Sequence, residues 1–313
     1  MSHPRILITD GLDERGQSIL RAAGQVDDHP DISAEDLLKA VAGYDALIVR
    51  GRTRVTADVI RAAGALKVIG RAGVGVDNID LNAAREKGIA VVNAPTSTTG
   101  AVAELTFGLL LALAREIPRA DAAMKSGKWL KKDLEGVELA GKTLGIIGYG
   151  RIGMELGRRA AAFGMNVVAY DPFIKEDAIQ AVGGESVSLQ DLFAWSDFIS
   201  LHLPYDVQTR DLVGPMAIAQ MKDGVRIICA ARGGIVDEAA LLNALNTGKV
   251  AGAALDVFET EPPGASELVT HPRVIATPHI GAQTAEAQAR AAEDIANEVL
   301  AALQGKPLRW KVA

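Results

Sequence analysis

Thr143-Leu-Gly-Ile-Ile-Gly-Tyr-Gly-Arg-Ile-Gly-Met-Glu-Leu-Gly-Arg-Arg-Ala-Ala-Ala-Phe-Gly-Met-Asn-Val-Val-Ala-Tyr-Asp171 decides the fold. It reads as an apolar strand, a Gly148-x-Gly150-x-x-Gly153 turn, a helix over 152–163 and a second strand ending in a carboxylate. In such a βαβ unit the first glycine makes the turn and the second lets backbone N–H groups approach a pyrophosphate. The third lets helix and strand pack closely, and the helix N-terminus faces the anion. The pattern alone is weak; the preceding strand, the following helix and Asp171 give it weight. A carboxylate at that strand end accepts hydrogen bonds from a ribose and repels a 2′-phosphate, so NAD is expected rather than NADP. Pro172 and Phe173 bring no charge to offset the repulsion.

Outward from this unit, short apolar runs alternate with helical patterns along the whole chain. The strand candidates are 5–9, 46–50, 67–70 and 89–92, then 143–147, 167–171, 197–201, 225–229, 251–256 and 273–277. Runs this uniformly apolar suit parallel sheets covered on both faces. The expected architecture is α/β with two domains: a Rossmann-type dinucleotide domain over 99–284 and a smaller substrate domain built from 1–98 and 285–313. One helical stretch over about 100–126, followed by the polar patch Lys125 to Gly141, reads as the hinge. Residues 285–304 form a further helix.

At 313 residues the chain suits two domains. Its 33 basic and 39 acidic side chains leave a formal charge of −6, and aromatics are only 4%. Neither nucleic acid nor an anionic membrane is therefore an expected partner. The longest apolar run, Leu105 to Ala114, rises about 15 Å as a helix, half of a bilayer core. With no targeting signal and one cysteine, Cys229, a cytoplasmic location is expected, and no metal site.

A nicotinamide enzyme acting on an alcohol or ketone needs a proton carrier and a group that orients the carbonyl. Of five histidines, His279 follows a strand in Thr277-Pro-His-Ile-Gly281, at the edge where ligands bind in parallel sheets. Glu261, just past the strand ending in Asp256, is placed to fix an imidazole tautomer and to stabilise the imidazolium. Arg232, in Ala231-Arg-Gly-Gly234, offers two N–H donors to a substrate carboxylate or carbonyl. The turn Gly73-Val-Gly75 lacks a third glycine and suits a smaller anion. Arg50, Arg52, Arg54 and Arg71 gather positive charge at two strand ends, fitting a small dianion with a phosphate and a carboxylate.

With Val49-Arg-Gly-Arg-Thr-Arg-Val55, Gly70-Arg-Ala-Gly-Val-Gly-Val-Asp-Asn-Ile-Asp80, Gly141-Lys-Thr-Leu-Gly-Ile-Ile-Gly148, Ala231-Arg-Gly-Gly-Ile-Val-Asp-Glu238, Ala253-Ala-Leu-Asp-Val-Phe-Glu259 and Pro278-His-Ile-Gly281, the chain resembles the D-isomer-specific 2-hydroxyacid dehydrogenases. The likeness runs from about Ile6 to Leu303 and is strongest to their D-3-phosphoglycerate dehydrogenase branch. It implies a flavodoxin-like small domain, a catalytic set of Arg232, Glu261 and His279, and an NAD site of Gly148, Gly150, Arg151, Ile152, Gly153 and Asp171. It further implies His202 and Pro204 over the adenosine, Asp256 near the nicotinamide, and Ala230 among the cofactor-binding residues. The substrate carboxylate falls to a backbone nest at Gly73, Val74 and Gly75. Arg50, Arg52, Arg54 and Arg71 would meet the substrate, and Lys131 matches a position contributed from a partner subunit. A homodimer with the helix near 100–116 at its interface is implied. Cys229 departs from the family, which often has Asn there, and no serine-binding regulatory domain is expected. The alternatives are a glyoxylate or hydroxypyruvate reductase, and an NAD(H)-sensing corepressor-like binding protein.

Overall fold

The structure, a computed structural model, describes residues 3–181 and 183–313. Its strands and helices follow in the order β1 (Arg5–Ile8), α1 (Glu14–Arg21), β2 (Gln25–Asp28), α2 (Ala34–Ala40), β3 (Ala46–Val49), α3 (Ala57–Ala62), β4 (Val68–Arg71), α4 (Leu81–Lys87), β5 (Ala90–Asn93) and α5 (Thr99–Arg115). Next come α6 (Ile117–Lys125), β6 (Thr143–Ile147), α7 (Arg151–Ala162), β7 (Asn166–Tyr170), α8 (Glu176–Gln180), β8 (Gly184–Ser186), α9 (Leu189–Trp195) and β9 (Phe198–Leu201). The chain ends with α10 (Pro215–Gln220), β10 (Val225–Cys229), α11 (Glu238–Thr247), β11 (Val250–Leu255), α12 (Glu267–Thr270), β12 (Val274–Ala276) and α13 (Ala285–Leu303). It divides into two compact units, one of Met1–Thr98 with Ala282–Ala313 and one of Thr99–Gly281.

The first unit is a five-stranded parallel sheet in the order β2-β1-β3-β4-β5. Alternate residues of its central strands feed two separate cores. Leu7, Leu47, Val49, Ile69 and Val91 pack with Leu37, Val59 and Ile60 on the face of α2 to α4. Ile6, Ile8, Ala46, Ile48 and Val68 pack with Leu20, Ile295 and Val299 on the face of α1 and α13. Because the side-chain period of a strand is two, continuous apolar runs such as Ala46–Val49 are the sequence of a strand covered on both sides.

The second unit is a seven-stranded parallel sheet, β12-β11-β10-β9-β6-β7-β8. One face carries α5 and α7 through Leu110, Leu113, Leu156 and Ala160. The other carries α9, α10 and α11 through Leu192, Phe193, Ala217, Leu241 and Leu245. The strand order reverses at β6, with β7 and β8 to one side and β9 to β12 to the other. Ligands bind at the carboxyl ends beside such a reversal. Among the described residues no helix is long and apolar enough to cross a membrane.

Three expectations need correction. The stretch 100–126 is two helices, not one: Glu116 takes a left-handed conformation (φ 49°) and Pro118 opens α6, because a proline supplies no N–H to continue α5. The polar patch 125–141 lies inside the second unit, and the chain passes between units at 98/99 and 281/282. Two strands lie outside the expected set, β2 (Gln-Val-Asp-Asp) and β8 (Gly-Glu-Ser). Both sit at sheet edges, where pairing supplies the stability and the composition stays polar.

Helices α1 and α13 touch backbone to backbone: a Cβ on Gly16 would stand 2.5 Å from the Ala292 carbonyl oxygen. Gly16→Ala gains about 1 kcal/mol of helix propensity but must push two helices apart, at about 1–3 kcal/mol. The variant should be no more stable than the parent, and is expected to lose up to about 2 kcal/mol in urea unfolding. A stabilised variant would show that the two helices yield freely.

Candidate active site

The glycine turn after β6 meets each requirement of a pyrophosphate cradle. Gly148 adopts φ 88°, and a Cβ there would stand 2.5 Å from the His202 carbonyl oxygen at the end of β9. A Cβ on Gly153 would strike the Gly148 carbonyl, so only glycine lets α7 start this close to the strand. Gly150 is the N-cap of α7, and nothing lies within 4 Å of where its Cβ would be. Arg151 and Ile152 form the first helical positions, where free N–H groups and the helix dipole favour an anion. These residues fit a dinucleotide by shape and by donor chemistry.

Asp171 follows β7 and is tied into the same turn. Its Oδ2 accepts the Tyr149 N–H at 2.8 Å; its Oδ1 accepts those of Phe173 and Ile174 at 2.8 and 3.2 Å. Oδ2, with a single donor, keeps a lone pair for a ribose hydroxyl. Phe173 beside it is 89% exposed. His202 bonds the Ser200 hydroxyl through Nε2 at 2.8 Å, while burial pushes its pKa down to about 4 and keeps the ring neutral. Pro204 is exposed, with its carbonyl accepting the Thr209 hydroxyl at 2.7 Å.

Arg232, Glu261 and His279 stand on the loops that follow β10, β11 and β12, three adjacent strands of one sheet. His279 and Glu261 meet, Nδ1 to Oε2, at 2.8 Å. With the carboxylate as acceptor, Nδ1 carries the proton and Nε2 is left to exchange one with a ligand. Glu261 also accepts the Phe258 N–H at 3.2 Å through Oε1. The loop of Arg232 lies directly on this one: a Cβ on Gly233 would overlap the Phe258 carbonyl. Glu238 adds a tie, accepting the Glu259 N–H at 2.7 Å, and burial raises its pKa. Ala230 is half-buried at the head of the Arg232 loop. Cys229 is buried beneath it, and burial pushes its thiol up to about 11, so it is inert at neutral pH.

In the first unit the arginines part company. Asp10 accepts the N–H groups of Arg50 and Thr53 at 2.7 and 3.1 Å and the Thr53 hydroxyl at 2.5 Å, which shapes the loop after β3. Arg52 spends its guanidinium on Asp10 and on the carbonyls of Thr9, Pro30 and Ile32. These contacts staple the loop and commit much of the Arg52 guanidinium to the fold. Arg50 reaches Gln283 at 3.2 Å, while Arg54 is exposed with no hydrogen bond or ion pair among the described residues. Gly73 donates its N–H to the Arg71 carbonyl at 2.8 Å. Its part is room, for the Arg71 guanidinium fills the place of a Cβ. The N–H groups of Val74 and Gly75 donate to no acceptor among the described residues.

The family model for the D-isomer specific 2-hydroxyacid dehydrogenase, NAD binding domain, matches residues 107–281. This chain belongs to the D-isomer specific 2-hydroxyacid dehydrogenases. The matched stretch covers the glycine turn, Asp171, Arg232, Glu261 and His279, and NAD is the cofactor of that domain. D-3-phosphoglycerate dehydrogenase of Methanocaldococcus jannaschii is 50% identical over 303 residues, 96% of this chain and 58% of that protein. The chain thus spans little more than half the length of this curated relative. Among solved structures, a glyoxylate reductase from Paecilomyes thermophila is 33% identical with a TM-score of 0.91, covering 100% of this chain and 99% of that one. The D-lactate dehydrogenase from Aquifex aeolicus, complexed with NAD and lactic acid, is 32% identical with a TM-score of 0.84, covering 96% of each chain.

The residues that the sequence did not mark are those that hold other residues. Asp10, Glu238 and Thr277 stand in or beside the motifs above, but no local spacing marks them; each bonds a residue distant in sequence. Lys131 is exposed on the second unit.

Asp171 generates a binding prediction that needs no substrate. NADH should bind at least about tenfold more tightly than NADPH, or about 1.4 kcal/mol, in a fluorescence titration. Asp171→Ala should narrow that gap. Equal affinities in the parent would remove Asp171 from the ribose site.

Proposed function

We propose that this chain is an NAD-dependent oxidoreductase that interconverts 3-phosphoglycerate and 3-phosphohydroxypyruvate, the step leading toward serine. The observation that carries the reaction type is the His279–Glu261 pair at 2.8 Å, one strand over from the Arg232 loop. In oxidation, His279 Nε2 accepts the proton of the substrate hydroxyl while Nδ1–H stays on Glu261. In reduction the same nitrogen returns a proton to the ketone oxygen. Arg232 binds the α-carboxylate and polarises the carbonyl with paired N–H donors. Bound NAD(H) takes up or supplies the hydride.

The substrate reading rests on two supports. Relatives at about half identity carry the phosphoglycerate activity in their names. The loop after β3 also offers exposed Arg54 and the largely uncommitted Arg50, suited to a phosphate. Val74 and Gly75 supply free N–H groups for the carboxylate end. A homodimer in the cytoplasm belongs to the same reading. Its support is apolar surface on the second unit, at Ile117, Met124 and Trp129 (76% exposed), and a single buried thiol. Reduction of glyoxylate or hydroxypyruvate is the second reading, favoured by the loss of Arg52 from the anion cluster.

His279→Ala should lower kcat by about 10² to 10⁴ while NADH still binds, because the proton carrier alone is lost. An unimpaired variant would sink the proposed role.

The substrate is tested through charge. Removing a guanidinium from the phosphate costs about 1.5–3 kcal/mol, or roughly 10- to 150-fold in kcat/KM. Arg54→Ala and Arg50→Ala should show that loss with 3-phosphohydroxypyruvate and little with hydroxypyruvate, Arg54 the more so. Arg232→Ala should harm both substrates. If neither Arg50→Ala nor Arg54→Ala discriminates, a smaller 2-ketoacid is the substrate.

A further inference from the structure

Asp256 directly follows β11 and is 1% exposed. A buried carboxyl group with unmet hydrogen-bonding capacity is costly, so its partners say what it is for. They are the Thr277 hydroxyl (2.6 Å) and the Ile280 N–H (2.8 Å) on Oδ1, and the Gly281 N–H (2.8 Å) on Oδ2. All three donors belong to the five-residue loop after β12, and they bracket His279 from both sides.

His279 itself is in the left-handed region, φ 53°, which costs a side-chain-bearing residue about 1–2 kcal/mol. Such a conformation persists only where its surroundings over-determine it. Within the loop, the His279 N–H bonds the Thr277 carbonyl at 3.0 Å, and the next two N–H groups are taken by Asp256. A Cβ on Gly281 would stand 3.1 Å from the Asp256 carboxylate, a tight contact that the carboxylate would have to yield to. The sharp turn that results carries the imidazole to Glu261, whose own loop is the continuation of β11 just past Asp256. One residue thus references both halves of the imidazole–carboxylate pair to the same strand end.

We infer that Thr277 and Asp256 form a positioning pair that locks the 277–281 loop in the one conformation where His279 Nδ1 meets Glu261 and Nε2 is aimed for proton transfer. The inference rests on the proposed acid/base role of His279. Thr277 is its testable half, since its hydroxyl touches Asp256 and its isostere valine keeps the shape. Without the hydroxyl, Asp256 retains only two backbone donors, and the loop gains freedom where the imidazole needs none. A positional loss of this kind appears in kcat rather than in cofactor binding.

Thr277→Val, Thr277→Ser, His279→Ala and the double variant Thr277→Val/His279→Ala are compared in steady-state ketoacid reduction, with NADH affinity and Tm measured for each. Thr277→Val should lose about tenfold in kcat, with NADH affinity and Tm near parent values, and Thr277→Ser should restore kcat to within about twofold. In the His279→Ala background Thr277→Val should cost nothing further, because it acts only through the imidazole. Asp256→Asn, which presents an NH₂ group to one of the three donors, should fall further than Thr277→Val. Parent-like kcat in Thr277→Val beside a crippled His279→Ala would overturn the inference alone. So would an undiminished loss in the double variant. Parent-like kcat in His279→Ala would overturn the acid/base reading beneath it.

Discussion

Parallel pairing is the constraint on which the rest depends. Every neighbouring pair in the seven-stranded sheet runs in the same direction, so every strand ends at the same edge. A parallel pair cannot be joined by a tight hairpin; each connection must cross over a face, through a helix, and return. The loops that leave the carboxyl edge therefore lie side by side although their residues are far apart in the chain. The Gly148 turn, Asp171, His202, Arg232, Glu261 and His279 all follow successive strands at that edge. No other property of the chain gathers them.

Carboxyl groups then fix those loops. Asp10 past β1, Asp171 past β7 and Asp256 past β11 each accept two or more backbone N–H groups from a loop. The loop N–H groups beyond a strand end have no ladder partner and must be satisfied somewhere. A short acidic side chain at the strand end is well suited to this, as it is rigidly held and accepts several donors. The consequence in the first unit is that Arg52 is drawn to Asp10, while Arg54 is exposed and makes no hydrogen bond or ion pair among the described residues. In the second it is the angle of the His279 turn.

Much of this was legible from residue order. Central strands such as Ala46–Val49 and Val225–Cys229 are read from uninterrupted apolar runs, because burial on both faces permits little else. Edge strands β2 and β8 were not, since hydrogen bonding to one neighbour tolerates polar side chains. The break at Glu116 left a local mark in Pro118, yet only the observed left-handed residue shows the helix ending there. The glycine turn was legible because each glycine answers a steric demand within its own βαβ unit: room beside His202, an open N-cap, and close approach of α7.

By itself, then, the chain determined its α/β class and its glycine turn, and singled out Arg232, Glu261 and His279 as candidates, all from local pattern or motif. Tertiary structure decided which charged groups are spent on the fold and which remain for a ligand. Arg50, Arg52 and Arg54 are alike as residues. Their difference comes from Asp10, over forty positions earlier, and from the carbonyls of Thr9, Pro30 and Ile32. Contacts across such separations are made by strand register and crossover connections. No window of sequence around an arginine contains them.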